Sequence, residues 1–366
     1  MVYETDNDTV AAAVRTVLDG DSLGRETALA LLEEPLADLE PAAAAVRDRF
    51  RGGTVDTCSI VNAKSGGCPE DCGFCAQSVH YDTGVDSYGF LDPERILESA
   101  RRAEADGVQQ FGIVVAERGV SRRDRPEEWA DLLEAIRLVR AETDLAVDGS
   151  LGELTETEAE ILADAGLEMY NHNVETSPDY FPEVVSTHDF EDRIETLRRA
   201  KAAGMELCAG VILGMGESPA DRVDAALALR DVGVDAVPVN VLDPIAGTPM
   251  AERERADGDE LPISTAELLR TIAVYRLLLP ETGVHMAGGR EVAFDADEQH
   301  RPFDVGADGM LTGDYLTTEG RSPAEDLAII ERAGLRPAME YHEFDPAAVR
   351  TDESADAREG DSGIAD

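Results

Sequence analysis

Apolar residues recur along this chain with two different periods, and the switch between them outlines the fold. Within residues 8–51, Val10, Val14, Val17 and Leu18 stand at helical spacing, which predicts two or three helices. From about residue 54, short apolar runs alternate with amphipathic stretches at roughly 30-residue intervals. The runs at 55–61, 110–115, 145–150, 169–173, 207–213, 236–242, 284–287 and 309–311 read as strands. Between them lie helical segments with start signals, such as the boxes Thr155-Glu-Thr-Glu158 and Ser264-Thr-Ala-Glu267. In a helix over 126–143, Trp129 reads as a packing residue.

This alternation predicts an α/β fold, a (β/α)8 TIM-type barrel with an N-terminal helical extension. A doubly wound sheet is the alternative, but no GxGxxG turn follows the first strand. The expected boundaries are a helical extension over 1–53, the barrel over 54–335 and an acidic, disordered tail over 336–366. In a barrel of this kind, chemistry is expected where the strands end at their C-terminal edge.

Charge narrows the setting. The 366 residues carry 77 acidic and 32 basic side chains, a formal net charge of −45, and Lys64 and Lys201 are the two lysines. Such a chain repels nucleic acid and anionic membranes. Acid-rich, lysine-poor surfaces stay hydrated in molar salt, so the cytoplasm of a salt-loving organism is the expected home. No apolar run reaches membrane-spanning length, and the first residues lack the pattern of a secretory signal.

Five cysteines occur, and three form the spacing Cys68-x-x-x-Cys72-x-x-Cys75 just after the first predicted strand. Three thiolates on one short loop suit one face of a [4Fe-4S] cube and leave its fourth iron without a protein ligand. That iron is then open to a small molecule, as it is to the amino and carboxylate groups of S-adenosylmethionine (SAM) in the radical-SAM enzymes, whose cluster loops this spacing resembles. A zinc ribbon needs a fourth Cys or His nearby, and a disulfide fits poorly with so few cysteines. Structural zinc and coincidence remain the alternatives to the cluster.

Several longer runs carry a resemblance. The stretch Asn62-Ala-Lys-Ser-Gly-Gly-Cys68-Pro-Glu-Asp-Cys72-Gly-Phe-Cys75-Ala-Gln-Ser resembles the cluster loop of the biotin synthase family. So do Tyr170-Asn-His-Asn-Val-Glu-Thr-Ser177, Ser186-Thr-His-Asp-Phe-Glu-Asp-Arg193, Cys208-Ala-Gly-Val-Ile-Leu-Gly-Met-Gly-Glu217, Val237-Pro-Val-Asn-Val-Leu and Gly288-Gly-Arg290-Glu. The resemblance runs in order from about residue 8 to 335. It implies a radical-SAM barrel, usually a homodimer, that inserts sulfur into dethiobiotin to give biotin. One electron, from a reductant of flavodoxin or ferredoxin type, cleaves SAM to a 5′-deoxyadenosyl radical. That radical takes hydrogen from an unactivated carbon, a step beyond any side-chain base.

By that resemblance Phe74 lies against the adenine, Glu175 binds the ribose where the family usually has Asp, and Arg193 pairs with the SAM carboxylate. Asn171 and Asn173 contact dethiobiotin; strand alternation puts both on one face with Glu175. The structural readings beside these are strand-end residues satisfied by backbone and an ordinary helix arginine. His172 is expected to face away, buried and hydrogen-bonded. Gly210, Gly214 and Gly216 suit either a close approach to adenosine or a tight turn. Lys64 is a further candidate for contact with substrate or SAM.

The chain departs from the family at the second, auxiliary [2Fe-2S] cluster, which the family holds with three cysteines and one arginine. Cys208 and Arg290 match two ligands, but Gly112 and Asp148 stand where the family has cysteine. Cys58 is a candidate substitute, and Cys58, Cys208, Asp148 and Arg290 form the expected rearranged set; the alternative for Cys58 is simple core. Two other functions compete with biotin formation. One is a radical-SAM enzyme of the same subgroup that cleaves SAM without inserting sulfur, which the two missing cysteines favour. The other is a non-enzymatic electron-transfer or structural centre, which three rather than four cysteines oppose.

Overall fold

The computed structural model describes residues 5–257, 263–318 and 320–338. Three helices, Asp8–Leu18, Arg25–Leu32 and Leu36–Phe50, precede the first strand. The strands are β1 (Thr54–Lys64), β2 (Gln110–Val115), β3 (Ala146–Ser150), β4 (Met169–Asn171), β5 (Glu206–Cys208), β6 (Val211–Leu213), β7 (Ala236–Val241), β8 (Gly283–Met286), β9 (Gly309–Leu311) and β10 (Arg336–Pro337). All pair in parallel, and β1 meets both β2 and β9, so the sheet closes. With β5 and β6 as two pieces of one stave, this is the eight-stranded (β/α)8 barrel expected from the sequence.

The predicted strand over 207–213 is broken because Gly210 carries no side chain. A Cβ there would sit 1.8 Å from the Pro238 carbonyl oxygen. The Gly210 carbonyl in turn accepts from Val174 N and Glu175 N at 3.0 and 3.1 Å. The chain thus bends inward where β4 and β5 end. Arg336–Pro337, grouped with the tail on sequence grounds, instead pairs with Thr54 and Val55 of β1. The rest of the expected acidic tail, 339–366, lies outside the described residues.

Helices start where the sequence signals them. Thr155 with Glu158 and Ser264 with Glu267 form complete capping boxes, satisfying backbone N–H groups that the helix cannot. The core lies between barrel and helices: Phe111, Ile113, Val147, Val211, Val237, Val239 and Val284 face outward and are buried. Inward positions are less covered. Along β7, Val237, Val239 and Val241 are buried while Pro238 and Asn240 keep partial access. Cys58, Ile60 and Asn62 on β1, and Asn171 on β4, do the same. The lumen therefore has free space above its floor.

That floor is charged and paired. Arg276 and Arg51 both bond the Asp308 carboxylate, at 2.6 Å each, and Arg51 also reaches Asp56 at 2.9 Å. Burial pushes the Asp308 carboxyl up, but Arg276 and Arg51 outweigh it and hold it at about 2, below its usual 3.8. Its contribution is complete above the unfolded value and is lost as pH falls through the folded one. Asp308→Ala leaves two buried guanidiniums without this partner, and about 3–5 kcal/mol of stability is expected to go. Urea unfolding at neutral pH measures it, and a loss under about 1 kcal/mol would refute the pairing argument.

Candidate active site

The three clustered cysteines lie on the loop after β1, at the C-terminal mouth of the barrel. Gly66 and Gly67, with φ of +69° and +74°, turn the chain into this loop, a conformation that favours glycine. Cys68 N donates to Gln77 O at 3.0 Å, and Val79 N donates back to Cys68 O at 2.9 Å. Gly73 is clamped between Val184 O and Met250 N, at 2.8 and 3.1 Å. Asp71 accepts from Ser186 N and Thr187 N, at 2.9 and 3.1 Å. The loop is thus fixed to residues more than a hundred positions away.

Cys72 is buried in a small apolar cluster with Phe181, Val184, Val185, Met215, Leu242 and Met250, against which Phe74 and Cys75 pack. Burial pushes the Cys68 thiol up to about 11 and the Cys72 thiol up to about 12, with Arg193 pulling Cys72 partly back. The Cys75 thiol is raised too, again chiefly by burial. Three sulfur donors on one pinned loop, Cys72 buried and Cys68 and Cys75 partly accessible, beside the Arg193 cation and with no fourth cysteine on the loop, fit a [4Fe-4S] cluster with one open iron.

Arg193, on the helix Phe190–Ala202, ties this loop to the strand ends. Its Nη2 lies 3.9 Å from Cys72 Sγ, and its Nη1 donates to Asn173 O at 2.8 Å and approaches Glu175 Oε1 at 3.5 Å. Its Nε donates to His188 Nε2 at 3.1 Å, while His188 Nδ1 meets Glu70 Oε2 at 2.5 Å. A chain of polar contacts therefore runs from Glu70, inside the cluster loop, through His188 to Arg193 and Glu175. Sequence reasoning missed His188 and Glu70, because 118 residues separate them.

Glu175 has φ of +66°, the only non-glycine positive φ among the described residues. Such strain gathers at functional sites. Its Oε2 is buried without a hydrogen-bond partner, and burial raises its carboxyl against the pull of Arg193. A carboxylate held in this way suits a hydroxyl-bearing ligand such as a ribose. Asn173 Oδ1 accepts from Gly210 N at 2.9 Å. Asn171 Nδ2 donates to Asp148 Oδ2 at 2.6 Å, leaving Asn171 Oδ1 without a partner.

Other expectations come out differently. Lys64 Nζ is ion-paired with Glu117 and, at 3.0 Å, with Glu128. His172 is buried as expected and its burial keeps it neutral, but its Nε2 has no hydrogen-bond partner. Contacts within the protein account for the three glycines. Gly210 clears Pro238 O, Gly214 has φ of +92°, and a Cβ on Gly216 would meet Tyr180 Oη at 2.7 Å. Asn240, unremarked in the sequence, bridges staves by donating to Val211 O at 3.1 Å and accepting from Gly288 N at 2.9 Å.

For the auxiliary cluster the residues do not fit the usual form. Gly112 offers no ligand atom, and a Cβ there would meet both Asp148 carboxylate oxygens, at 3.0 and 3.3 Å. Burial raises the Asp148 carboxyl to about 7 and lifts the Cys58 and Cys208 thiols. The charge of Asp148 adds to both thiol shifts. Arg290 uses one nitrogen, Nη2, within the protein, while its Nε and Nη1 are buried without a hydrogen-bond partner. Its neighbours are Asp326, bonded at 2.7 Å, Glu291 and Tyr315.

Comparison with known proteins identifies the family. Residues 63–241 match the Radical SAM superfamily, and residues 238–336 match the Biotin and Thiamin Synthesis associated domain. The biotin synthase of Natronomonas pharaonis is 62% identical over 98% of this chain and 96% of its own length. That of Trichlorobacter lovleyi is 44% identical over 93% and 99%. Among solved structures, methylornithine synthase (PylB) superposes with a TM-score of 0.75 at 19% identity, covering 93% of this chain and 99% of its own. The FeFe-hydrogenase maturase HydG gives 0.76 at 15% identity, over 96% and 80%. Those two show the fold alone. The curated relatives decide the family: this chain is a member of the biotin synthases, radical-SAM enzymes built on a parallel β/α barrel.

Proposed function

We propose that this chain converts dethiobiotin to biotin, with Cys68, Cys72 and Cys75 holding a [4Fe-4S] cluster that binds SAM. The observation that carries the reading is Arg193, whose guanidinium joins Cys72, Asn173 and Glu175 into one site. When bound, the cluster and SAM supply a radical able to take hydrogen from an unactivated carbon. The residues do the positioning. Arg193 pairs with the SAM carboxylate, and Glu175 Oε2 accepts from the ribose. Phe74 covers the adenine side and excludes water.

Asn171 at the end of β4 and Asn173 just beyond it receive dethiobiotin, Asn171 through the carbonyl oxygen that has no partner in the protein. Neither asparagine has to move a proton; both fix the substrate so that its reacting carbons face the radical. Electrons come from a reductant of flavodoxin or ferredoxin type, and the enzyme works as a cytoplasmic homodimer, as its family implies. Among the described residues no helix is long and apolar enough to cross a membrane.

The test is an anaerobic assay in molar KCl with reconstituted protein, dethiobiotin, SAM and a strong reductant, following 5′-deoxyadenosine and biotin together by mass spectrometry. Both products are expected. 5′-Deoxyadenosine without biotin or a thiolated intermediate would overturn sulfur insertion.

A further inference from the structure

The barrel's own register shows what replaces the missing cysteines. In an eight-stranded barrel, inward side chains stack in layers of four drawn from alternate staves. Cys58 on β1 pairs with Gln110, which pairs with Ala146 on β3; two residues on from Ala146 is Asp148. Asp148 pairs with Met169 and that with Glu206 on β5; two residues on is Cys208. Cys208 pairs with Ala236 and that with Gly283 on β8; two residues on is His285. His285 pairs with Gly309 and that with Asp56 on β1; two residues on is Cys58 again. The circuit closes, so Cys58, Asp148, Cys208 and His285 form one layer.

The members do not all turn the same way. The His285 ring leans over the two bare glycines, 2.6 Å from a Cβ position on Gly283 and 2.1 Å from one on Gly309, and so floors the layer. Cys58 and Cys208 keep partial access on strands whose outer faces are buried, so that access is to the lumen. Asp148 is 3% exposed; one oxygen is held by Asn171 and the other, Oδ1, is buried without a partner. A buried acceptor without a donor is costly unless a ligand completes it. The bare Cα of Gly112 makes room for this carboxylate.

We propose that Cys58, Cys208 and Asp148 hold an auxiliary iron–sulfur cluster through two thiolates and one carboxylate, with Asn171 orienting the carboxylate from behind. Among the described residues no three Cys, His, Asp or Glu side chains crowd round the position of a single metal ion. Cys58, Asp148 and Cys208 stand instead on three different staves of one layer, the placement that donors to a group of several atoms require. Gly112 and Asp148 act as a pair: the glycine gives up a ligand so that the aspartate has space to become one. The proposal rests on the biotin synthase reading only for the use of the sulfur, and it can fail independently.

The experiment is iron and sulfide counting with Mössbauer and EPR spectroscopy on the reconstituted full chain, beside Cys58→Ala, Cys208→Ala, Asp148→Ala and Gly112→Ala. The parent is expected to hold more iron than one [4Fe-4S] cluster accounts for, with a second spectral component. Each lumen variant is expected to lose or alter that component, while the EPR change of the first cluster on adding SAM persists and shows that the barrel is folded. Gly112→Ala removes no ligand and acts by pushing Asp148 aside. A parent with a single cluster, or a second component unchanged in Cys58→Ala and Asp148→Ala, would overturn the proposal. Biotin formed by a parent with one cluster sinks this inference alone; a second cluster without biotin sinks the functional reading alone.

Discussion

Replacing Cys72 by alanine is expected to abolish 5′-deoxyadenosine formation. Of the three clustered thiols it is the most buried, walled by Phe181, Val184, Val185, Met215, Leu242 and Met250, and it lies closest to Arg193. Its loss leaves two thiolates on a loop whose backbone is pinned by Val184 and Met250. A [4Fe-4S] cluster held there would lack one of its three protein ligands, and the single open iron that would receive SAM would no longer be defined. Iron analysis and mass spectrometry of the anaerobic variant check this together. Undiminished 5′-deoxyadenosine from Cys72→Ala would refute the open-iron assignment.

Arg193→Ala has the next largest expected effect. The side chain is buried, stands 5.5 Å from the centre of the Phe181 ring and contacts His188, Asn173, Glu175 and Cys72. Truncation removes the cation meant for the SAM carboxylate and strands the Glu175 carboxyl, which burial already disfavours as an anion. Losing one partner of a buried pair costs about 3–5 kcal/mol, so SAM affinity should fall on the order of 10²-fold or more. Arg193→Lys is expected to recover little, because an ammonium cannot serve those directions at once. SAM titration by EPR measures affinity, and thermal unfolding separates it from loss of fold. An unchanged SAM Kd in Arg193→Ala would remove Arg193 from the site.

How much of this was legible beforehand follows from how far apart the interacting residues lie in the chain. Cys68, Cys72 and Cys75 could be read together because their chemistry is contained in one short loop. The strands could be read because every stave has the same outward apolar face, and six of the eight predicted runs were recovered as single strands near their expected ends. The 169–173 run ends at Asn171 and the 207–213 run splits at Gly210, both where the backbone leaves the ladder to build the site. No propensity signals such departures, because tertiary contacts impose them. Glu175 at φ +66° is the clearest case: it is stable there only because Gly210 and Ile212 bond its backbone on both sides.

The sequence by itself determined the barrel, the cluster loop and the loss of two auxiliary ligands, since local periodicity, spacing and residue identity are properties of the chain in one dimension. The tertiary structure decided the rest. It ion-paired Lys64 with Glu117, bonded one nitrogen of Arg290 to Asp326, and linked Glu70, His188 and Arg193 across more than a hundred residues. It also set Asp148 against the bare Cα of Gly112, in one layer with Cys58 and Cys208. Those relations depend on strand register around a closed barrel. Register is fixed by the packing of all staves at once, and no single segment carries it.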